Sequence, residues 1–310
     1  MDTWELEKSK YINPFTDFGF KRLFGEEGNK DLLIDFLNEL VLPIHKIVDL
    51  TFKNVERLAE IQEHRKAVYD IFCTNQNGEK FIIEMQKAYQ KFFKDRMIFY
   101  STFPIREQAL KGKKWNYKLK AVYCIGILDF EFNSDDYLLE EEEEIPESIK
   151  KEMKSEFHHD IQLKDQYNRV FYPKLRYKLL EMPKFTKAES ELYTHFDKWI
   201  YFLKNLPNFS EIPSILREPI FEKAFQVAET SNFNEAELDE YMSSLMEYWD
   251  LINVIDSSFE LGKEEGKIEG KVEGGREKSI EIAKELKKNN IGMDIISKST
   301  GLTIEEIEKL

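Results

Sequence analysis

Asp70 and Glu84 are the residues of this chain whose type and placement promise chemistry. They lie in two short apolar runs, VYDIFC and FIIEMQ, joined by Asn75-Gln76-Asn77-Gly78 and Glu79. That junction reads as a hairpin turn in which Gly78 takes a left-handed conformation. A hairpin centred on Asn77 sets Asp70 across from Glu84, and the two-residue period of a strand adds Gln86 to the same face. Tyr69, Ile71, Cys73, Phe81, Ile83 and Met85 fall on the opposite face, which reads as core. Two opposed carboxylates repel each other and are costly to bury. One compensation is a hard divalent cation, Mg²⁺ or Mn²⁺, held by Asp70, Glu84, the backbone carbonyl of Met85 and water. Such an ion activates water and stabilises charge on a phosphate oxygen. The alternative is a solvated face on which both carboxylates are ordinary surface groups.

Around this pair the chain must supply a sheet and the helices that cover it. Leu32, Leu33, Phe36, Leu37, Leu40 and Val41 recur at helical spacing. Strands are predicted near 47–56, 67–75, 80–87 and 121–130, where β-branched and aromatic residues concentrate. An amphipathic helix from about Gln90 to Lys111 falls between the last two, bent at Pro104. The order is helix, three strands, helix, strand, an α/β unit. FHHDIQLKD and KLRYKLLEM extend the sheet, and helices follow near 189–204, 217–229 and 234–256. Gly262, Gly266, Gly270 and Gly274 then recur every four residues, marking either a low-complexity linker or a glycine-striped helix over 261–278. Residues 279–310 form a small helical appendix, with Thr303 and Glu306 as the capping box of its final helix.

Composition narrows the classes. The chain has 310 residues with 24 Phe, 14 Tyr and 4 Trp, enough large apolar surface to exclude a disordered protein. No run approaches the ~18 apolar residues of a membrane span, and MDTWELEKSK lacks the pattern of a secretory leader, so a cytoplasmic location is expected. Cys73 and Cys124 sit in predicted strands outside any CxxC pair and read as buried, reduced thiols. The net charge of −14 opposes a polyanion at long range, yet Lys87 to Lys120 holds ten Lys/Arg against Asp95 and Glu107, whereas Glu140 to Glu144 is wholly acidic.

NPFTDFGFKRLFG, the Asp70 strand, FIIEMQ, RMIFYSTFPIREQ and the GxxEGxxEG tail together resemble the Rpn family, the recombination-promoting nucleases also described as PD-(D/E)XK family transposases. The likeness covers residues 9 to about 205 and the style of the tail. It implies a restriction-endonuclease-like α/β core over 1–205, followed by a helical region at 206–260 and the helical tail. It further implies a Mg²⁺- or Mn²⁺-dependent DNA endonuclease with Asp70, Glu84 and Gln86 as catalytic residues. Gln86 stands where the superfamily carries lysine, and it brings no charge. The contrasting function is a non-catalytic DNA-binding or oligomerising module on the same fold.

Other residues have alternative readings. Asp17 either completes the metal site or caps a helix start, and Glu39 is a second candidate ligand. Lys87, Lys91, Lys94, Arg96 and Tyr100 are the candidate DNA contacts, Arg96 and Tyr100 lying one helical turn apart. His158, His159 and Asp160 are adjacent on a predicted strand, where neighbours face opposite sides, so joint metal ligation is not expected. Self-association is expected through residues 262–310.

Overall fold

The computed structural model describes residues 9–41, 46–53, 69–109, 116–132 and 155–310. The acidic run at 140–144, the ends of the first two predicted strands, and Lys111, Lys113 and Lys114 of the basic stretch lie outside them. The described residues fall into two units, one ending at Trp249 and one beginning at Asp250.

In the first unit, Tyr11 and Ile12 are buried in a short extended segment, with the Ile12 amide donating to the Ala228 carbonyl at 2.9 Å. That anchor sets the start of α1 (Asp17–Phe24), whose N-cap is Thr16, accepting from the Gly19 amide. Asp17 therefore does not cap the helix; it occupies the first turn and pairs with Lys21 at 2.9 Å. Gly19 is required here, because a Cβ would lie 2.1 Å from the Asn13 carbonyl oxygen. The predicted periodic helix is α2 (Lys30–Val41), which buries the six apolar residues of that pattern and leaves Ile34 partly covered.

Among the described residues six strands follow: β1 (Leu50–Phe52), β2 (Ile71–Asn75), β3 (Lys80–Gln86), β4 (Val122–Leu128), β5 (His158–Lys164) and β6 (Val170–Glu181), in the order β1-β2-β3-β4-β6-β5. The β2–β3 hairpin has the predicted register, pairing Ile71 with Ile83 and Cys73 with Phe81. Its turn is closed by the Asn75 side chain, which accepts from the amides of Asn77 and Glu79, while Gly78 takes φ +78°. Helix α3 (Phe93–Glu107) carries the chain from β3 to parallel β4, with Pro104 inside it. It is shorter than the predicted span of 90–111. Strand β3 is buried along its whole length because α3 covers one face and other core side chains the other.

Both faces of the hairpin are thus core. Tyr69, expected opposite Glu84, instead joins Phe72, Ile82, Phe93 and Met97 beneath α3, because the chain bends at Asp70 before β2 begins. Cys73 and Cys124 are free, buried thiols, and burial pushes both thiol pKa values up. Helix α4 (His195–Asn205) starts later than predicted, at a Thr194–Asp197 capping box after a 3₁₀ turn. With α5 (Pro219–Ala228) it builds a second core in which Trp199 meets Phe24, Phe36, Phe202 and Phe221.

The third predicted helix, near 234–256, is much longer. Helix α6 runs from Glu235 to Lys288, so the glycine-rich segment is helical. In the second unit its last turns pack Ala283 against Ile296 of α7 (Met293–Thr300) and Ile307 of α8 (Ile304–Glu308). The Thr303–Glu306 capping box is present.

Candidate active site

The hairpin brings Asp70 and Glu84 together from two directions. Strand β2 pairs with β3 only as far as Ile71–Ile83, and beyond that point the Asp70 carboxylate replaces a strand, accepting the Met85 amide at 2.6 Å through Oδ2. Within a strand the carbonyl of a residue points the same way as its amide. The Met85 carbonyl is therefore directed toward the edge that Asp70 occupies.

Glu84 is 7% exposed, so the solvated alternative fails for it. Its Oε1 lies 3.1 Å from Nη2 of Arg96, and its Oε2 is buried with no hydrogen-bond partner among the described residues. Burial pushes its pKa up to about 7; Arg96 opposes the shift and Asp70 adds to it. Asp70 is raised as well, first by burial and further by the charge of Asp17, against the Met85 amide, Lys21 and Lys87.

An unsatisfied buried carboxylate oxygen beside a second carboxylate, with a backbone carbonyl directed at the same edge, suits a hard cation that keeps several waters. The donor set is two carboxylates and a carbonyl. Among the described residues, no three His, Cys, Asp or Glu side chains converge into a fuller cage. Asp17 stands near enough to act on Asp70 electrostatically, whereas the charge of Glu39 acts on His195.

Gln86 is buried and occupied at both ends. Its Nε2 donates to the Ala88 carbonyl at 2.9 Å, and its Oε1 accepts from Arg96. Arg96 is thus turned inward onto Glu84 and Gln86, with Gln90 at 2.5 Å on its other nitrogen and the Phe93 and Tyr100 rings beside its guanidinium. Tyr100 packs edge-on against Tyr69. Lys91 lies over the ring of exposed Phe92 and Lys94 over Phe132. Adjacent residues on β5 do face apart: His159 contacts Glu181 at 2.6 Å, while Asp160 pairs with Lys178 at 3.0 Å. Burial pushes His158 down to about 4.

Two features were not anticipated from sequence. A cavity of about 510 Å³ opens beside Asp70, between α1 and the β1–β2 edge. The other is His195, whose Nε2 lies 2.6 Å from Asp35 and whose Nδ1 lies 3.3 Å from Glu218. Its partners come from α2 and from the residue before α5, positions that no short motif links.

A mixed sheet with a carboxylate pair on a central hairpin, crossed by a helix to a parallel fourth strand, defines a nuclease-like α/β protein. The family model for PD-(D/E)XK nuclease family transposases matches residues 14–258. The chain belongs to that family, and its function is accordingly nuclease- and transposase-associated. Searches of curated proteins and of solved structures return no match.

Proposed function

We propose that this protein is a divalent-metal-dependent DNA endonuclease that hydrolyses phosphodiester bonds at Asp70 and Glu84. The observation that carries the reading is the buried, unpartnered Oε2 of Glu84 beside Asp70. A buried carboxylate oxygen without a partner is costly, and a site that keeps one has a use for it. Asp70, Glu84 and the Met85 carbonyl would hold Mg²⁺ or Mn²⁺, with Asp17 as a further acidic neighbour. When bound, the ion lowers the pKa of water and stabilises charge on the phosphate.

The chain's own residues then orient the reactants. The Met85 amide fixes Asp70, and Arg96 fixes one oxygen of Glu84 and leaves the other free. Gln86 cannot supply the charge of a lysine, and both ends of its amide are taken up. It holds Arg96 instead, whose guanidinium brings a permanent positive charge to the same place. Arg96 in this reading balances negative charge as water attacks phosphorus and the leaving oxygen departs. Lys87, Lys91 and Lys94 contact phosphates of the flanking duplex, giving binding that carries little base information.

The test is cleavage of supercoiled plasmid. Wild type should nick or cut with Mg²⁺ or Mn²⁺ and be inert in EDTA, and Asp70→Asn and Glu84→Gln should each lose at least about a hundredfold in rate while staying folded, in line with the loss of an electrostatic group from a reaction centre. Folded variants that cut as fast as wild type would remove the assignment.

A further inference from the structure

The cavity beside Asp70 has a composition that the hydrolytic residues alone do not account for. Its walls include Phe18, Phe52 and Phe72, and its polar lining includes Lys21, Lys53 and Asp70 itself. Phe72 is buried in the core beneath α3, whereas Phe18 and Phe52 are only partly covered and present their rings to the cavity side of the chain. Aromatic faces with cations close by suit a nucleotide, since bases stack on rings and phosphates attract lysine.

The charges are unequally committed. Arg22 is held by Glu26 and Glu237, both at 3.0 Å. Lys21 is shared with Asp17, and exposed Lys53 has no ion-pair partner among the described residues. The remaining acid, Glu240, lines the same cavity and disfavours a second phosphate. At about 510 Å³ the space admits one nucleotide and is far too small for paired duplex.

We infer that this cavity is a slot for one unpaired nucleotide of the strand being cut. Its base lies against Phe52 and Phe18, and its phosphate meets Lys21 and Lys53, with the scissile bond thereby placed at Asp70. The inference rests on the nuclease reading and specifies its substrate: DNA in which the nucleotide at the cut is unpaired or readily extruded. Extrusion costs least where a base is mismatched or already single-stranded.

The experiment uses the full chain with three substrates of one sequence, fully paired, mismatched at one position and single-stranded, each carrying 2-aminopurine at that position. With Mg²⁺, cutting should favour the mismatched and single-stranded substrates over the paired one. In EDTA, 2-aminopurine fluorescence should change on binding as the base leaves its neighbours for the slot. Phe52→Leu keeps apolar bulk but removes the ring, and exposed Lys53→Gln removes a charge with little risk to folding. Each should weaken binding of the unpaired substrates on the order of tenfold and diminish the preference, whereas Lys91→Gln should leave the preference intact. Equal cutting of all three substrates, or a preference that survives both slot variants, would overturn the slot while leaving the nuclease reading in place. No cutting of any substrate would overturn both.

Discussion

Glu84 links the chemistry of the site to the stability of the fold. Its pKa stands at about 7 in the folded chain against 4.5 for the free group, so between those values the folded state binds more protons than the unfolded state. Stability from this residue is fully present below pH 4.5 and is lost as pH rises through 7. The melting temperature of the metal-free wild type should therefore fall relative to Glu84→Gln across that window. Mg²⁺ should restore it above pH 7, where the carboxylate is free to bind the ion. Parallel melting curves of the two proteins from pH 4.5 to pH 8 check this, and curves that keep a constant separation would contradict it. Arg96 and Gln86 offer a second test at the same scale. Arg96→Ala should remove most cutting, and Gln86→Lys should restore part of it in that background, because a lysine from β3 would return the charge that α3 had supplied. Rates of the single and double variants decide the point, and a double variant no faster than Arg96→Ala would separate Arg96 from that role.

Among the elements, the hairpin and α1 position the site, and the α2–α4–α5 cluster holds the core behind it. His195 begins α4 with both ring nitrogens facing carboxylates, an arrangement that suits the doubly protonated ring. Asp35 raises its pKa first, with Glu218 and Glu39 adding, against partial desolvation. Asp35 also accepts from the Trp199 indole at 2.7 Å, and Glu218 is held by Lys198. A raised histidine stabilises the fold below its unfolded pKa of 6.5, and this contribution disappears as pH climbs through the folded value. His195→Gln should lower stability by about 1 kcal/mol at pH 6, the scale of an ordinary hydrogen bond and of a partly exposed ion pair. The gap should narrow at pH 9. Urea unfolding of both proteins at the two pH values measures it.

At the scale of the whole molecule, the second unit carries features that its own contacts leave unused. Val254, Leu261 and Ile268 recur every seventh residue along α6 and are each at least 60% exposed. A Cβ at Gly262, Gly266, Gly270 or Gly274 would meet nothing within 4 Å. Glycine in a helix interior costs about 1 kcal/mol relative to alanine, so a helix that keeps these four at one spacing, with Gly275 beside the last, gains from a partner that can approach closely. Seven-residue apolar spacing is the pattern of a helix pair. The full chain should accordingly self-associate through residues 262–310 and the turns just before them. Light scattering should return a mass above one chain, and Leu261→Lys with Ile268→Lys should return the monomer. Wild type that already scatters as a monomer would refute the association.

The residues of the hairpin were sufficient for its register and for the sharing of a face by Glu84 and Gln86, and the wider sequence pattern was sufficient for the alternation of strands and helices up to β4. These rest on neighbours in sequence, on turn chemistry and on the periods of two and 3.6 residues that any chain must obey. The same local rules placed the capping box of the last helix. They could not tell that α3 would cover the Glu84 face and desolvate it, because the burial of a strand depends on what lies across the sheet. Nor could they assign Tyr69 to that side, since the bend at Asp70 breaks the alternation. Only the packed structure turns Arg96 inward, unites Asp35, His195 and Glu218 from three segments, and opens the cavity between α1 and the sheet edge. Each is a contact between residues distant in sequence, and local spacing carries no record of which of them will meet.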